Sequence, residues 1–125
     1  MDEAEIKDMI SKKRQYEAEY QFLRDLLEKT ARDDENIVRE ASKVQSKLAR
    51  IKLWLALLPE DEASVITRHL IDGIDVPRIV LEYEQKWGRE FAKTERTIKM
   101  YQKRALQRIM EFDARMQSVK KSIIE

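Results

Sequence analysis

The sequence predicts an all-α chain: an N-terminal long helix or antiparallel helical hairpin (coiled coil), then a helix-turn-helix with an extended last helix. Three observations predict it. The 125 residues include only 2 Gly and 2 Pro, the residues least tolerated inside helices. Charged side chains make up 39% of the chain, which implies long exposed surfaces around a modest core. Apolar residues recur at spacings of three and four through most of the length, the repeat of one helical face. The expected division is residues 1–58 as a helical hairpin or coiled-coil oligomerisation region and residues 59–125 as a helix-turn-helix domain with a C-terminal helix extension.

A seven-residue repeat runs from Ile6 to Leu58. Tyr20, Leu23, Leu27, Ile37, Val44, Leu48, Ile51 and Leu55 all fall on its two apolar positions. Such a seam pairs helices rather than serving a lone one, and these eight residues are the candidate oligomerisation surface. The repeat weakens at Thr30-Ala31-Arg32-Asp33-Asp34-Glu35-Asn36, which holds no large apolar residue. One rod of ~80 Å fits, at 1.5 Å per residue. Two helices folded back at the polar stretch also fit. The unbroken register favours the rod, whereas Asp33, Asp34 and Asn36 are all suitable caps for a second helix.

Leu58-Pro59 ends this segment, because proline disfavours helix in the residue before it and starts a new helix well. Glu60, Asp61 and Glu62 then lie at the positive end of a helix dipole. Val65, Ile66, His69 and Leu70 form the inward stripe, and Gly73 is the expected stop, where a left-handed residue is commonly required. A short helix follows, with Asp75 as candidate cap, Pro77 near its first turn, and Ile79, Val80 and Tyr83 inward. Trp54, Trp87, Tyr83, Phe91 and Phe112 are expected as core or interface anchors.

The last helix starts at Thr94, whose hydroxyl suits an N-cap. Ile98, Tyr101, Ala105 and Ile109 share one side, while Arg96, Lys99, Met100, Lys103 and Gln107 share the other. The apolar stripe continues through Phe112, Met116, Val119 and Ile123, so the helix should reach residue 122 or so, and its distal half needs an apolar partner. Charge is distributed unevenly. Residues 1–58 balance 12 basic against 12 acidic side chains, residues 59–92 carry −4, and residues 93–125 carry +5, within a net charge of +1. A cationic patch in a neutral chain suits site-directed DNA contact better than indiscriminate coating. The order of helix, turn, short helix and basic helix is that of a helix-turn-helix reader with its recognition helix last.

Leu58-Pro59-Glu60-Asp61-Glu62, the Leu70-Ile71-Asp72-Gly73 stop and T-E-R-T-I-K-M-Y-Q-K-R-A-L-Q-R-I from Thr94 together resemble the fourth region of bacterial sigma factors. That region typically reads L-P-x-x-E, an aliphatic helix, a glycine-containing turn, then S-R-x-x-V with a closing A-L-x-x-L. The resemblance spans Leu58–Met110. Helices followed by such a reader are similar to ArpU-type phage transcriptional regulators, where the upstream helices look like a hairpin. One departure is the connection Leu81–Lys93, longer than the tight turn of sigma-type readers. Carried over by position, the resemblance implies base contacts from Glu95, Arg96, Lys99 and Met100. Arg96 and Lys99 would donate to guanine and Glu95 would accept from cytosine. Lys103 would meet phosphate, Thr94 would clamp one at the helix start, and Arg89 and Lys93 would reach phosphates from the connection. Arg104 and Arg108 are expected in salt bridges with the acidic residues of 59–92.

No catalytic constellation is present, and no cofactor is implied. His69 is the only histidine and cysteine is absent, so metal sites built on those residues are excluded. Asp33, Asp34 and Glu35 are better read as a helix start or turn than as a cation site. The acidic start lacks a signal peptide's pattern, and no apolar run reaches the ~20 residues of a membrane span. The expected location is therefore cytoplasmic. The function expected is a sequence-specific, phage or prophage transcription regulator that binds double-stranded DNA as a homo-oligomer, with a dimer favoured. The alternatives are a phage small terminase subunit and a protein-binding adaptor of RNA polymerase without DNA contact.

Overall fold

A computed structural model of the chain describes residues 1–29, 34–91 and 93–124, with the side chains of Phe91 and Ile124 excepted. Among the described residues every regular element is helical: α1 (Glu3–Ser11), α2 (Lys13–Lys29), α3 (Glu35–Leu57), α4 (Glu60–Ile66), α5 (Val76–Trp87) and α6 (Glu95–Ile124). A π-helical stretch, Thr67–Ile71, continues α4, and a 3₁₀ turn, Arg89–Phe91, follows α5.

The heptad region is a hairpin and not a rod. α2 and α3 pack along each other, and the Asp34 carboxylate caps α3 by accepting from the Asn36 and Ile37 N–H groups at 3.0 and 3.3 Å. Thr30–Asp33, the polar stretch expected to form the bend, lies outside the described residues, as does the possible cap at Asp33. The seam residues face each other within one chain. Val44 and Ile51 are buried there, while Tyr20, Leu23, Leu27, Ile37, Leu48 and Leu55 are half-buried. The seam expected to join two copies is thus largely used internally.

The repeat also conceals an interruption. Lys12 takes φ −92°, ψ 6° between α1 and α2, without any glycine or proline to announce it. α1, capped by Asp2 accepting from Glu5 N–H at 2.8 Å, leaves the α2–α3 pairing and packs on α6 and the π-helical stretch. Ile6 and Ile10 become fully buried there.

One core joins both expected regions. Ile6 and Ile10 of α1, Ile51 and Trp54 of α3, Ile66 of α4 and Ala105, Leu106 and Ile109 of α6 form a single cluster. Its density around Trp54, 1% exposed, explains why α6 has a fixed place. A smaller cluster unites Val65, Ile79 and Ile98, with Ile74, Val80, Tyr83 and Tyr101 around them. It holds α4, α5 and the start of α6 together.

The helix ends follow local chemistry. Leu58 is extended before Pro59, as proline demands. Gly73 takes φ +72°, and the Ile74 N–H donates to the Arg68 carbonyl at 3.0 Å. His69 is half-buried rather than a core residue, and its Nδ1 lies 2.8 Å from the Ile74 carbonyl, bridging the same turn. Asp75 occupies the cap position of α5, but its side chain makes no capping bond.

The candidate nucleic-acid interface

α6 positions the candidate surface. Thr94 Oγ1 accepts from the Thr97 N–H at 3.2 Å and lies 3.0 Å from Thr97 Oγ1, so the start of the helix is set by a side-chain cap. Ile98, Ala105, Leu106 and Ile109 bury one side completely or nearly so. That burial fixes the rotation of the helix and turns the opposite side outward. Glu95, Arg96, Lys99, Met100 and Lys103 all stand exposed there. The structure therefore brings five of the eight predicted site residues onto one open surface, with capping Thr94 at its end.

The other two stand apart. Arg89 is exposed on the connection and pairs with Glu84 at 3.4 Å. Lys93 is half-buried and lines a shallow pocket with Glu60, Asp61 and Trp87, beside the acidic start of α4. The long connection has a physical form: α5 extends to Trp87, and Gly88, at φ +86°, turns the chain into the 3₁₀ segment. Trp87, expected as an anchor, is 49% exposed. It packs at 6.4 Å from the Tyr83 ring and under the Lys86 ammonium, 5.1 Å away. The anchor expected at Phe91 lies outside the described side chains.

The cations of this surface are gathered on one side of a single helix. Some cations elsewhere are paired, while Lys7, Arg39, Lys52, Arg115, Lys120 and Lys121 form no ion pair with a described residue either. Arg68 donates to Glu82 at 3.0 and 2.5 Å and to Asp72 at 2.9 Å, and Arg14 bridges to Asp72. This network braces the α4–α5 turn against α2, and the Arg68 guanidinium holds the Glu82 carboxyl below its usual range. Arg50 binds buried Asp113, and Arg108 binds buried Glu62 at 3.0 Å. Arg108 thus meets the expectation made for it. Arg104 does not: it is exposed, with no ion pair to a described residue.

Arg96, Lys99 and Lys103 likewise form no ion pair with a described residue. Arg96/Lys99 and Lys99/Lys103 are like-charged neighbours at three and four residues. Such neighbours destabilise a helix by roughly 0.2–0.5 kcal/mol per pair. The pairs among these three cations therefore work against α6 in the isolated chain and favour contact with an anion. Arg104, expected in a salt bridge, lies about 80° from Arg96 on a simple wheel, at the margin of the outward side.

Other chemistry is sparse. Among the described residues no group of three or more His, Asp or Glu side chains could hold a metal ion, and no described helix is long and apolar enough to cross a membrane. No protein-family model, curated protein or solved structure matches this chain.

Proposed function

We propose that the chain is a sequence-specific DNA-binding protein, a transcriptional regulator of phage or prophage type, that reads the major groove with the N-terminal half of α6. The observation that carries this reading is the exposed cationic cluster of Arg96, Lys99, Lys103 and Arg104, without an ion pair to a described residue, on a helix whose other side is buried. The sigma-like sequence pattern from Leu58 to Met110 adds the choice of DNA over other anions. In this reading Arg96 and Lys99 donate to guanine edges, Glu95 accepts from cytosine, and Met100 contacts a thymine methyl. Lys103, Arg104 and the first-turn N–H groups behind Thr94 hold phosphates. Two copies on paired half-sites, about one helical turn apart, complete the scheme.

Selection from random duplexes followed by gel shift tests it. Arg96→Ala and Lys99→Ala should each weaken the selected site by about 1–3 kcal/mol and relax preference at one base position. Lys103→Ala should weaken all sequences alike and flatten the salt dependence by about one phosphate's share. Duplex affinity unchanged by reversing both Arg96 and Lys99 to Glu would exclude the reading. A second reading, a protein-binding adaptor, is favoured by one separate observation, an open apolar groove at the far end of α6.

A further inference from the structure

The distal half of α6 leaves its apolar stripe uncovered. Met116, Val119 and Ile123 are 36%, 49% and 78% exposed, at the spacing of three and four that forms a helix-pairing seam. The stripe does not face open solvent alone. Between it and the outer side of α3 runs a groove of about 490 Å³, floored by Met9, Trp54 and Phe112 and walled by Leu53 and Met116. Leu53 is itself 46% exposed. From Phe112 to Ile123 the apolar strip extends about 16 Å, three turns of helix. A rounded ligand would fill the groove and leave Val119 and Ile123 bare. An elongated occupant with apolar residues at three- and four-residue spacing covers all of it.

Charge decides which helix. The α3 wall of the groove carries Lys47 and Arg50, with no acidic residue between 43 and 58. The α6 wall carries Lys120, with no acidic residue from 114 to 124. The one carboxylate lining the groove, Asp113, is buried and bound to Arg50. A second copy would bring its own Lys47 and Lys120 toward the same residues of the first, and exposed charges of one sign repel over ~8 Å. Self-docking therefore meets repulsion on both rims. An acidic helix meets attraction on both.

We propose that the groove between α3 and distal α6 is a docking site for an amphipathic helix of a partner protein, with aliphatic residues on its buried side and Glu or Asp along its edges. The midpoint of the site lies about 24 Å along α6 from that of the cationic reading surface, at 1.5 Å per residue, so both surfaces can be occupied together. It stands independently of whether α6 reads DNA.

The test uses the full chain and two labelled synthetic helices with identical leucine spacing, one flanked by Glu and one by Lys, in fluorescence anisotropy. The Glu peptide should bind at least tenfold more tightly. Lys47→Glu/Lys120→Glu should reverse that preference. Val119→Asp, a change at a half-exposed side chain, should weaken the Glu peptide tenfold or more while leaving the circular dichroism melt in place. Equal binding of both peptides, or none, overturns the proposal. So does a wild-type dimer in sedimentation that Val119→Asp dissolves, which would make a second copy the occupant. Binding to phosphatidylserine vesicles that Val119→Asp abolishes, with no peptide binding, would assign the strip to a membrane surface and overturn it as well.

Discussion

Replacing Arg50 by Met would strand a buried carboxylate, and the structure allows the cost to be worked out. Asp113 is 3% exposed on α6. Its Oδ1 accepts from Arg50 Nε at 3.1 Å and also from Nη2. Its Oδ2 has no hydrogen-bond partner among the described residues and lies 3.7 Å from the Met1 ammonium. Removing one partner of a buried ion pair costs about 3–5 kcal/mol, because the remaining charge is left desolvated. Here the Arg50 side chain is 34% exposed, so water reaches the vacated position. The Met1 ammonium also supplies some residual field. The expected loss is therefore near or below the bottom of that range, about 2–3 kcal/mol. The lost contact of the guanidinium with the Trp54 ring, 5.3 Å away, is partly replaced by the methionine sulfur. Asp113→Leu alone leaves Arg50 able to turn to solvent, and should cost less than Arg50→Met. The double substitution removes both charges and should lie within about 1 kcal/mol of the parent, since apolar replacement of a buried pair is often neutral. Urea unfolding followed by circular dichroism gives all four stabilities. If Arg50→Met costs under about 0.5 kcal/mol, or the double change is worse than the sum of the singles, this account of the α3–α6 tie is wrong.

Three more outcomes follow from single features. Thr94→Ala removes the cap of α6 and should cost about 1 kcal/mol in urea unfolding, with Thr94→Asp retaining most of it; equal losses from both would deny the cap. Gly88→Ala should cost more than Gly73→Ala. Neither added Cβ meets an atom within 4 Å, so backbone strain alone decides, and Gly88 at φ +86°, ψ 167° occupies a region almost reserved for glycine. Expected losses are about 1 kcal/mol at Gly73 and up to about 3 kcal/mol at Gly88. Tyr83 donates to Asp61 Oδ1 at 2.5 Å, and burial, then this bond, raise its phenol above the ordinary 10.0. The folded chain thus holds the proton where the unfolded chain releases it. Tyr83's contribution is fully present below pH 10 and declines as pH rises beyond it. The stability difference between the parent and Tyr83→Phe should narrow from pH 9 to pH 11, and a constant difference would refute it.

Much of the local order was legible in the residues themselves. The cap at Asp34, the stop at Gly73, the extended Leu58 before Pro59 and the start of α6 at Thr94 all rest on chemistry within four residues, which does not depend on the rest of the fold. The buried side of α6 was equally plain, because Ile98, Ala105 and Ile109 keep one helical phase and so turn Arg96, Lys99 and Lys103 outward. Tertiary structure decided what each apolar side would meet. The heptads from Ile6 to Leu58 are equally satisfied by a second chain or by the same chain folded back; only packing selects α2 on α3. Packing also splits α1 away at Lys12, because Ile6 and Ile10 are buried more fully against α6 than α2 buries anything. The exposure of Trp87 and of Arg104 and the groove beside Met116 share that cause. Periodicity specifies that a helix has an apolar side, whereas the partner of that side is set by how distant segments fill a common volume. Where the filling stops, at Val119 and Ile123, the apolar side remains open.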